Sequence, residues 1–313
     1  MTNITQPVLV VGTGAMACLF SARLAAAGYP VKILGTWKEG LAALRSYGVR
    51  LQLPDGSVRA FPVEVTNSSA DCRGAELALV LVKSWQTERA SHQLASCLSD
   101  QGLALTLQNG LGNQETLAAA LGKERTALGV TTTGATLVEP GLVRNGGNGR
   151  IMIENHPRIQ MAEETLRNAG FEVELGDQAQ SMIWGKLVIN AAINPLTALL
   201  EIPNGGLLSK PETIELLNAT AEEAASVAQA LEIDLPYSNP AEAVRLVAHQ
   251  TSTNISSMLT DILRGGPTEI DAINGMLVQY GEQVGVTTPL NRTLWALVRS
   301  KEKVRRSDLK ALE

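Results

Sequence analysis

The stretch Pro7-Val8-Leu9-Val10-Val11-Gly12-Thr13-Gly14-Ala15-Met16-Ala17 decides the fold of the first half of the chain. Its aliphatic run predicts a buried strand, and the pattern over residues 15–28 predicts a helix that ends at a capping glycine. Gly12 permits a tight turn, Gly14 lets a pyrophosphate approach the backbone, and small Ala17 lets the helix pack closely on the strand. The helix N-terminus attracts anions, so these residues predict a nicotinamide or flavin site. A glycine-rich turn without a ligand is the alternative.

Further apolar runs alternate with helix-compatible sequence along the first half of the chain. This alternation is the βαβ pattern of a doubly wound parallel sheet, so the sequence predicts a Rossmann-type fold. The additional strands are predicted at Pro30–Gly35, Leu77–Val82, Leu103–Leu107 and Thr126–Val130.

Two segments interrupt that alternation, and each predicts antiparallel strands outside the βαβ pattern. The runs Val49–Leu53 and Ser57–Val65 flank Pro54-Asp55-Gly56, which is a favourable hairpin turn. The second segment, Val143–Ile153, is rich in Gly and Asn. We expect both to pair outside the regular βαβ pattern.

The second half of the chain has a different character. Strand-like sequence stops after Phe171-Glu172-Val173-Glu174-Leu175, and helical patterns with Gly and Pro breaks continue to the end. The sequence therefore predicts a dinucleotide-binding domain at residues 1–176. It predicts an all-helical substrate and catalytic domain at residues 177–313.

Composition excludes several classes of function. The 313 residues include 26 basic and 31 acidic ones, a net charge of −5 that provides no field for nucleic acid or anionic membrane. Three scattered cysteines and three scattered histidines give no metal spacing, disulfide framework or Ser-His-Asp pattern. The first residues lack the features of a targeting signal, and no apolar run reaches the length of a membrane span. We therefore expect a cytoplasmic protein without a metal site.

A polar stripe crosses the very apolar segment Ile183–Leu196. Lys186, Asn190 and Asn194 recur at every fourth position, so on a helix all three point the same way. Burying them without partners costs about 1–3 kcal/mol for each polar group, which favours a stripe that faces a ligand. Pro195 should kink the helix and free backbone groups for a ligand or a neighbouring side chain.

Six motifs, taken together and in this order, resemble the ketopantoate reductase family over nearly the whole chain. They are Gly12-Thr13-Gly14-Ala15-Met16-Ala17; Val82-Lys83-Ser84-Trp85-Gln86; Gln108-Asn109-Gly110; Trp184-Gly185-Lys186-Leu187 with Asn190 and Asn194-Pro195-Leu196-Thr197; Ser256-Ser257-Met258-Leu259; and Arg264-Gly265-Gly266-Pro267-Thr268-Glu269-Ile270-Asp271. The resemblance implies a C-terminal domain like that of 6-phosphogluconate dehydrogenase. It also implies that hydride from NADPH reduces a 2-oxo acid, most simply 2-dehydropantoate to pantoate in pantothenate biosynthesis.

The same resemblance assigns roles to individual residues. It makes Lys186 the general acid and places Glu269 either on the cofactor or beside the lysine; a plain first-turn helix acid is the alternative for Glu269. The implied substrate contacts are Asn109, Lys186, Asn190, Asn194, Asn204 and Ser257, although Asn190 and Asn194 could instead cap the helix at Pro195, and Asn204-Gly205 could be a plain turn. The implied cofactor contacts are Gly12, Thr13, Gly14, Ala15, Met16, Ala17, Lys83, Asn109, Ala135 and Glu269. Lys38 is a further candidate on the ground of its own charge.

One departure from the family bears on the cofactor. Family members carry an arginine after the second strand that pairs with the 2′-phosphate of NADPH, whereas this chain reads Thr36-Trp37. Lys38 could replace it as a point charge, and Trp37 could stack on adenine or pack on the sheet edge. NADPH is the expected cofactor, and NADH stays open.

Other functions remain open beside the first. The chain could reduce a different 2-oxo acid, act as a 3-hydroxy acid dehydrogenase of the 6-phosphogluconate type, or sense NADP without turnover. The block from Ser257 to Glu269 favours the first family over the second, and the complete set of polar site residues argues against a sensor. A small-molecule 2-oxo acid is the expected partner, and a homodimer stays open.

Overall fold

The structure is a computed structural model and describes residues 6–147 and 149–312. Its strands are β1 (Val8–Val11), β2 (Val31–Leu34), β3 (Val49–Gln52), β4 (Val58–Phe61), β5 (Glu64–Thr66), β6 (Ala75–Val80), β7 (Leu98–Thr106), β8 (Thr126–Thr131), β9 (Gly134–Glu139), β10 (Leu142–Gly147), β11 (Arg150–Ile153) and β12 (Glu172–Leu175). Its helices are α1 (Ala15–Ala26), α2 (Lys38–Tyr47), α3 (Thr87–Ala95), α4 (Asn113–Leu121), α5 (Gln160–Asn168), α6 (Ala179–Leu200), α7 (Pro211–Ala230), α8 (Pro240–Gln250), α9 (Ser257–Leu263), α10 (Met276–Val284) and α11 (Pro289–Leu312).

The chain forms two compact units. The first comprises Met1–Gln108 with Asn113–Ala179, and the second comprises Asn109–Gly112 with Gln180–Glu313. The short segment Asn109–Gly112 thus packs with helices that follow it by more than 150 residues in sequence. The predicted division into folding domains near residue 176 stays a prediction.

An eight-stranded sheet forms the centre of the first unit, in the order β12-β11-β8-β7-β6-β1-β2-β5. The six strands from β8 to β5 in that order run parallel, while β11 pairs antiparallel with β8. The order reverses between β1 and β6, which is the topological switch point of a Rossmann fold. The predicted doubly wound sheet is therefore confirmed.

Strand β1 shows why this sheet is buried on both faces. Val8 and Val10 pack into one apolar core with α1, whereas Leu9 and Val11 pack into a second core with α3 and α4. Successive side chains of a strand point to opposite faces, so an unbroken aliphatic run suits a strand covered by helices on both sides. The four residues of β1 are at most 1% exposed.

A second, smaller sheet in the same unit has the order β4-β3-β10-β9. Strands β3 and β4 pair antiparallel around the predicted turn, and β9 and β10 form a second antiparallel pair. The prediction of one strand over Ser57–Val65 was wrong. The chain leaves the small sheet after Phe61, because Pro62 has no N–H to donate to a ladder hydrogen bond. Strand β5 pairs instead with β2 in the large sheet.

The elements of the second unit are all helical among its described residues, as predicted, and α6 is its central helix. The apolar residues of α6 share one core with α7, α8, α9 and α10. By length and composition α6 is apolar enough to cross a membrane, contrary to our expectation from the sequence. Its most apolar window is 67% buried within the protein, as expected of a core helix.

Candidate active site

The glycine-rich turn of the first unit has the geometry of an anion cradle. Gly12 has φ of +129°, and an added Cβ would lie 3.0 Å from the Leu81 carbonyl oxygen, so a side chain there is excluded. At Gly14 an added Cβ would meet nothing within 4 Å, so the backbone here borders open space. Gly14 is the N-cap of α1 and supplies no side-chain cap for the first N–H groups of the helix. The turn can therefore donate backbone hydrogen bonds to a phosphate.

A second loop of the first unit follows β6 and carries Lys83. The amide of Gln108 holds this loop, because its Nε2 donates to the Val82 carbonyl oxygen at 3.0 Å and to Thr87 Oγ1 at 2.8 Å. Thr87 in turn donates to Asn113 Oδ1 at 2.8 Å. No role is assigned to Gln108 from the sequence alone; the available signal is a polar residue just after a buried strand.

The end of β2 approaches the glycine-rich turn closely. An added Cβ on Gly35 would lie 2.5 Å from Thr13 Cγ2, so only glycine fits there. The ring of Trp37 lies over Gly40, where an added Cβ would come within 2.3 Å of Trp37 Cε3. Trp37 therefore packs on the first turn of its own helix, while Lys38 is exposed at the start of α2.

Ala135 lies in the small sheet rather than in the glycine-rich turn. It pairs with Asn145 of β10 and packs against the core that contains α1. Strand β9 itself also contacts α1, which begins at the glycine-rich turn. The first unit thus holds Gly12, Thr13, Gly14, Ala15, Met16, Ala17, Lys38, Lys83 and Ala135.

The polar stripe of the second unit does lie on one helix. Helix α6 continues through Pro195 to Leu200, so Asn190 and Asn194 do not cap a helix end. Pro195 has no N–H to donate to the carbonyl of Ala191, one turn earlier. The buried side chain of Asn274 donates to that carbonyl instead, at 2.9 Å. A neighbouring side chain therefore uses the freed backbone group, as the sequence suggested.

Asn274 belongs to a buried network that joins four elements of the second unit, namely α6, α7, α11 and the π-helical turn that carries Asn274. Its Nδ2 also donates to Asn291 Oδ1 at 2.9 Å, and Asn291 Nδ2 donates to Glu223 Oε1 at 2.9 Å. Both asparagines are 0% exposed. Asn274 lies in the π-helical turn Asp271–Gly275, a form that recurs at functional sites. We had not predicted this network.

Lys186, Glu269 and Asn109 form the electrostatic centre of the second unit. Burial lowers the pKa of the Lys186 ammonium to about 8, and the charge of Glu269 limits the fall. Glu269 is 5% exposed, and Asn109 Nδ2 donates to its Oε2 at 3.4 Å. The side chain of Glu269 thus faces polar site residues, whereas a plain helix acid would face solvent.

The segment that carries Asn109 is fixed by its backbone. Leu111 N–H donates to the Ala272 carbonyl oxygen at 2.9 Å. Gly110 has φ of +82°, and an added Cβ would lie 2.5 Å from the same oxygen. A glycine is therefore required beside Asn109, because the segment approaches the π-helical turn closely.

The remaining predicted substrate residues lie on neighbouring segments of the second unit. Asn204 N–H donates to the Asn254 carbonyl oxygen at 3.0 Å, and Asn204 Nδ2 donates to Thr251 Oγ1 at 2.8 Å. Its Oδ1 is buried without a hydrogen-bond partner among the described residues. Ser257 is exposed at the first position of α9, directly after the N-cap Ser256.

Tyr237 is a further residue that the sequence did not single out. Its hydroxyl donates to the Gly185 carbonyl oxygen at 2.9 Å, one residue before Lys186. An added Cβ on Gly185 would lie 2.6 Å from Pro236, so this loop packs directly on α6. Burial raises the pKa of the Tyr237 hydroxyl above its usual range, which keeps it a neutral donor.

Among the described residues, no group of three or more His, Cys, Asp or Glu side chains is arranged to hold a metal ion.

The fold and the site define a protein of the Rossmann-type class with an all-helical second unit. The family model described as "Ketopantoate reductase PanE/ApbA" matches residues 8–158, and "Ketopantoate reductase PanE/ApbA C terminal" matches residues 178–302. The chain belongs to the ketopantoate reductase family.

Individual relatives agree with this membership. The 2-dehydropantoate 2-reductase of Archaeoglobus fulgidus is 37% identical, over 95% of this chain and 98% of the relative. A crystal structure of a PanE/ApbA family ketopantoate reductase from Ralstonia eutropha JMP134 superimposes with a TM-score of 0.89 at 31% identity, over 96% of this chain and 100% of that chain. D-mandelate dehydrogenase with NADH and anilino(oxo)acetate shares the fold, with a TM-score of 0.88 at 23% identity over 96% and 99% of the two chains.

Proposed function

We propose that this protein is a 2-dehydropantoate 2-reductase, which reduces the 2-oxo group of ketopantoate to the hydroxyl of pantoate. The observation that carries the proposal is the half-buried Lys186 under the charge of Glu269, which Asn109 hydrogen-bonds, in a chain that belongs to the ketopantoate reductase family. A half-buried ammonium near a carboxylate suits protonation of a carbonyl oxygen.

The first unit provides the groups that would hold a nicotinamide cofactor. The absence of a side chain at Gly12, the open space at Gly14 and the uncapped start of α1 fit a pyrophosphate. Lys83, Asn109, Ala135 and Glu269 are proposed as further contacts of the cofactor. When bound, the reduced nicotinamide supplies the hydride.

We propose NADPH as the preferred cofactor, with NADH also accepted. Lys38 is exposed at the start of α2 and offers one point charge to a 2′-phosphate. Trp37 supplies no charge, and its ring packs on Gly40. A lysine lacks the planar fork with which arginine binds phosphate in two hydrogen bonds, so the discrimination between the cofactors should be modest.

In the proposed reaction Lys186 donates a proton to the oxygen of the substrate carbonyl. Negative charge grows on that oxygen during reduction, and an ammonium at hydrogen-bond distance stabilises it before the proton moves. Glu269 keeps Lys186 protonated, because its negative charge raises the lysine pKa against the effect of burial. Asn109 donates to Glu269 and thereby holds the carboxylate in place.

The amide and hydroxyl groups of the second unit are proposed to bind the substrate. Asn190 and Asn194 lie one and two turns after Lys186 on α6, and Asn194 is 6% exposed. The partnerless Oδ1 of Asn204 is a buried acceptor for a substrate hydroxyl. Ser257 can donate to a substrate carboxylate. These neutral groups bind a hydroxy acid without adding charge beside Lys186.

Steady-state oxidation of NADPH and NADH, with ketopantoate beside other 2-oxo acids, tests the proposal. We expect turnover to be highest with ketopantoate. Lys186→Ala should lower kcat by about a hundred- to ten-thousand-fold, while the exposed Lys210→Ala should leave it unchanged.

Three outcomes of this assay would contradict the assignment. Activity only on another 2-oxo acid would leave the proposed reduction in place but would show that ketopantoate is not the substrate. Activity on 6-phosphogluconate or another 3-hydroxy acid would indicate the second enzyme class. Cofactor binding without turnover on any acid would indicate a sensor.

A further inference from the structure

The fold brings together two cysteines that are 25 positions apart in sequence. Cys72 ends the 3-10 turn Ser69–Cys72, and Cys97 immediately precedes β7. The N–H groups of Gly74 and Ala75 both donate to the Cys97 carbonyl oxygen, at 2.9 and 3.2 Å. The two thiols lie in direct hydrogen-bonding contact and are free, and each residue is 3% exposed.

The environment of Cys72 favours its thiolate. The hydrogen bond from Cys97 lowers the pKa of Cys72, and the charge of Lys32 adds to this against the opposing effects of burial and of the carboxylates of Asp71 and Glu64. The same contact raises the pKa of Cys97. The Lys32 ammonium is held in place because its Nζ donates to the Asp71 carbonyl oxygen at 2.8 Å. The thiolate is the nucleophilic form of cysteine, so Cys72 is the reactive member of the pair.

A small cavity reaches Cys72 from the surface. Its volume is about 20 Å³, and its lining includes Lys32, Cys72 and the exposed Gln6 and Arg73. A space of this size holds about one water molecule. Hydrogen peroxide is only slightly larger than water, whereas glutathione disulfide is far larger. The cavity therefore favours a small oxidant.

We propose that Cys72 and Cys97 form a peroxide-reactive dithiol. Cys72 attacks one oxygen of hydrogen peroxide, the O–O bond breaks, and Cys72 becomes a sulfenic acid while one water leaves. Cys97 then attacks the Cys72 sulfur. The S–S bond forms as the S–O bond of the sulfenic acid breaks, and its hydroxyl group leaves as a second water with the Cys97 proton. Two thiols are oxidised by two electrons, and one peroxide is reduced to two waters.

The pair lies away from the proposed cofactor site. Cys72 and Cys97 precede β6 and β7, so they lie at the amino ends of these parallel strands, whereas the glycine-rich turn and Lys83 follow the carboxyl ends. The disulfide should therefore leave kcat within about twofold of the reduced protein. It should raise the Tm by roughly 5 °C or more, because it constrains the unfolded chain. This inference does not depend on the proposed function.

Peptide mass spectrometry of the reduced, folded protein after hydrogen peroxide treatment and alkylation tests the proposal. We expect a Cys72–Cys97 linked peptide in the wild type and in Cys18→Ala, since Cys18 is buried elsewhere in the core. Cys97→Ser should stop at a Cys72 sulfenic acid that dimedone traps, and Cys72→Ser should leave Cys97 reduced. Oxidation by glutathione disulfide should be at least about tenfold slower.

Three results would overturn the proposal. The first is a wild-type protein that keeps both thiols while its circular dichroism remains native. The second is sulfinic or sulfonic acid at Cys72 without the linked peptide. The third is equal oxidation rates with peroxide and glutathione disulfide, which would remove the cavity as the route.

Discussion

Lys186 can donate a proton only while it carries one, and its burial works against that state. Burial lowers its pKa to about 8, so the ammonium form predominates below that pH and is lost above it. We expect kcat/KM for reduction of the 2-oxo acid to be level up to about pH 7 and then to fall as the pH rises through about 8. A pH profile of initial rates measures this limb, and a constant rate up to pH 10 would remove Lys186 as the acid.

The charge of Glu269 should set the position of that limb. Glu269→Gln removes the negative charge that raises the Lys186 pKa, so the descending limb should move to lower pH. Because Glu269 is itself a residue of the proposed site, its substitution should also lower kcat at every pH. Glu282→Gln is the matched control, since Glu282 is an exposed acid of the same unit and should leave the profile unchanged. A limb that stays in place in Glu269→Gln would contradict the electrostatic role.

Lys38 carries the proposed preference for NADPH. Lys38→Ala should raise the KM for NADPH by about three- to tenfold and leave the KM for NADH nearly unchanged, because a single exposed charge contributes about 1 kcal/mol. Arg45→Ala is the control, since Arg45 is exposed on the same helix but lies in its last turn. Equal effects on both cofactors would show that the 2′-phosphate is bound elsewhere.

At the scale of elements, a hydrogen bond to one backbone carbonyl, that of Ala191, joins α6 to the π-helical turn. Pro195 frees the Ala191 carbonyl, and Asn274 donates to it from the turn that begins two residues after Glu269. The same asparagine donates to Asn291, whose partner Glu223 also accepts from the first N–H groups of α11. The placement of Lys186 relative to Glu269 thus depends on the buried side-chain amide of Asn274. This amide donates its hydrogen bonds to Ala191 and Asn291.

Asn274→Ala should therefore affect both stability and turnover. It leaves the Ala191 carbonyl and Asn291 Oδ1 without this donor, a loss of about 1–3 kcal/mol in the free energy of unfolding. We expect kcat to fall by about tenfold or more, and the descending limb of the pH profile to shift, because Glu269 is less well placed. Chemical denaturation and rate profiles measure the two effects.

Two further variants separate positioning from stability alone. Asn274→Asp keeps an acceptor but loses the donor, so it should not restore kcat. Asn218→Ala removes a half-buried asparagine that accepts from Arg245 in the same unit, and should cost stability without moving the pH profile. A purely structural role would make Asn274→Ala lose stability with its kcat and pH profile unchanged.

At the scale of the whole molecule, the sequence predicts what is local. The strand, turn and helix at Val8–Ala26 follow from neighbouring residues, and so does the helical stripe of Lys186, Asn190 and Asn194. Ser57–Val65 was assigned to one strand because β-propensity does not say which sheet a strand joins. That choice depends on partners distant in sequence, here β3 for one half and β2 for the other.

The parts of the site that were not predicted all involve long sequence separations. Asn109 meets Glu269 across 160 positions, and Asn274 meets Ala191 across 83. Outside the site, Cys72 and Cys97 likewise come together only through the pairing of β6 with β7. No periodicity or spacing in the sequence encodes these contacts, because they exist only once the units have folded. The resemblance to a family supplied the site residues but not the hydrogen bonds that hold them.

The distribution of site residues over two units predicts where each ligand should protect the backbone. The glycine-rich turn and Lys83 belong to the first unit, whereas Lys186 and Asn204 belong to the second. In hydrogen exchange, NADPH alone should slow exchange in peptides covering residues 12–18 and 83–87. A 2-hydroxy acid added to that complex should further slow hydrogen exchange in peptides covering residues 186–194 and 204–208, since ligand binding stabilises the segments that it contacts.

Peptides of α8, which carries none of the proposed contacts, are the control. Protection of the second group by NADPH alone, with no change on adding the hydroxy acid, would contradict the assignment of substrate to the helical unit.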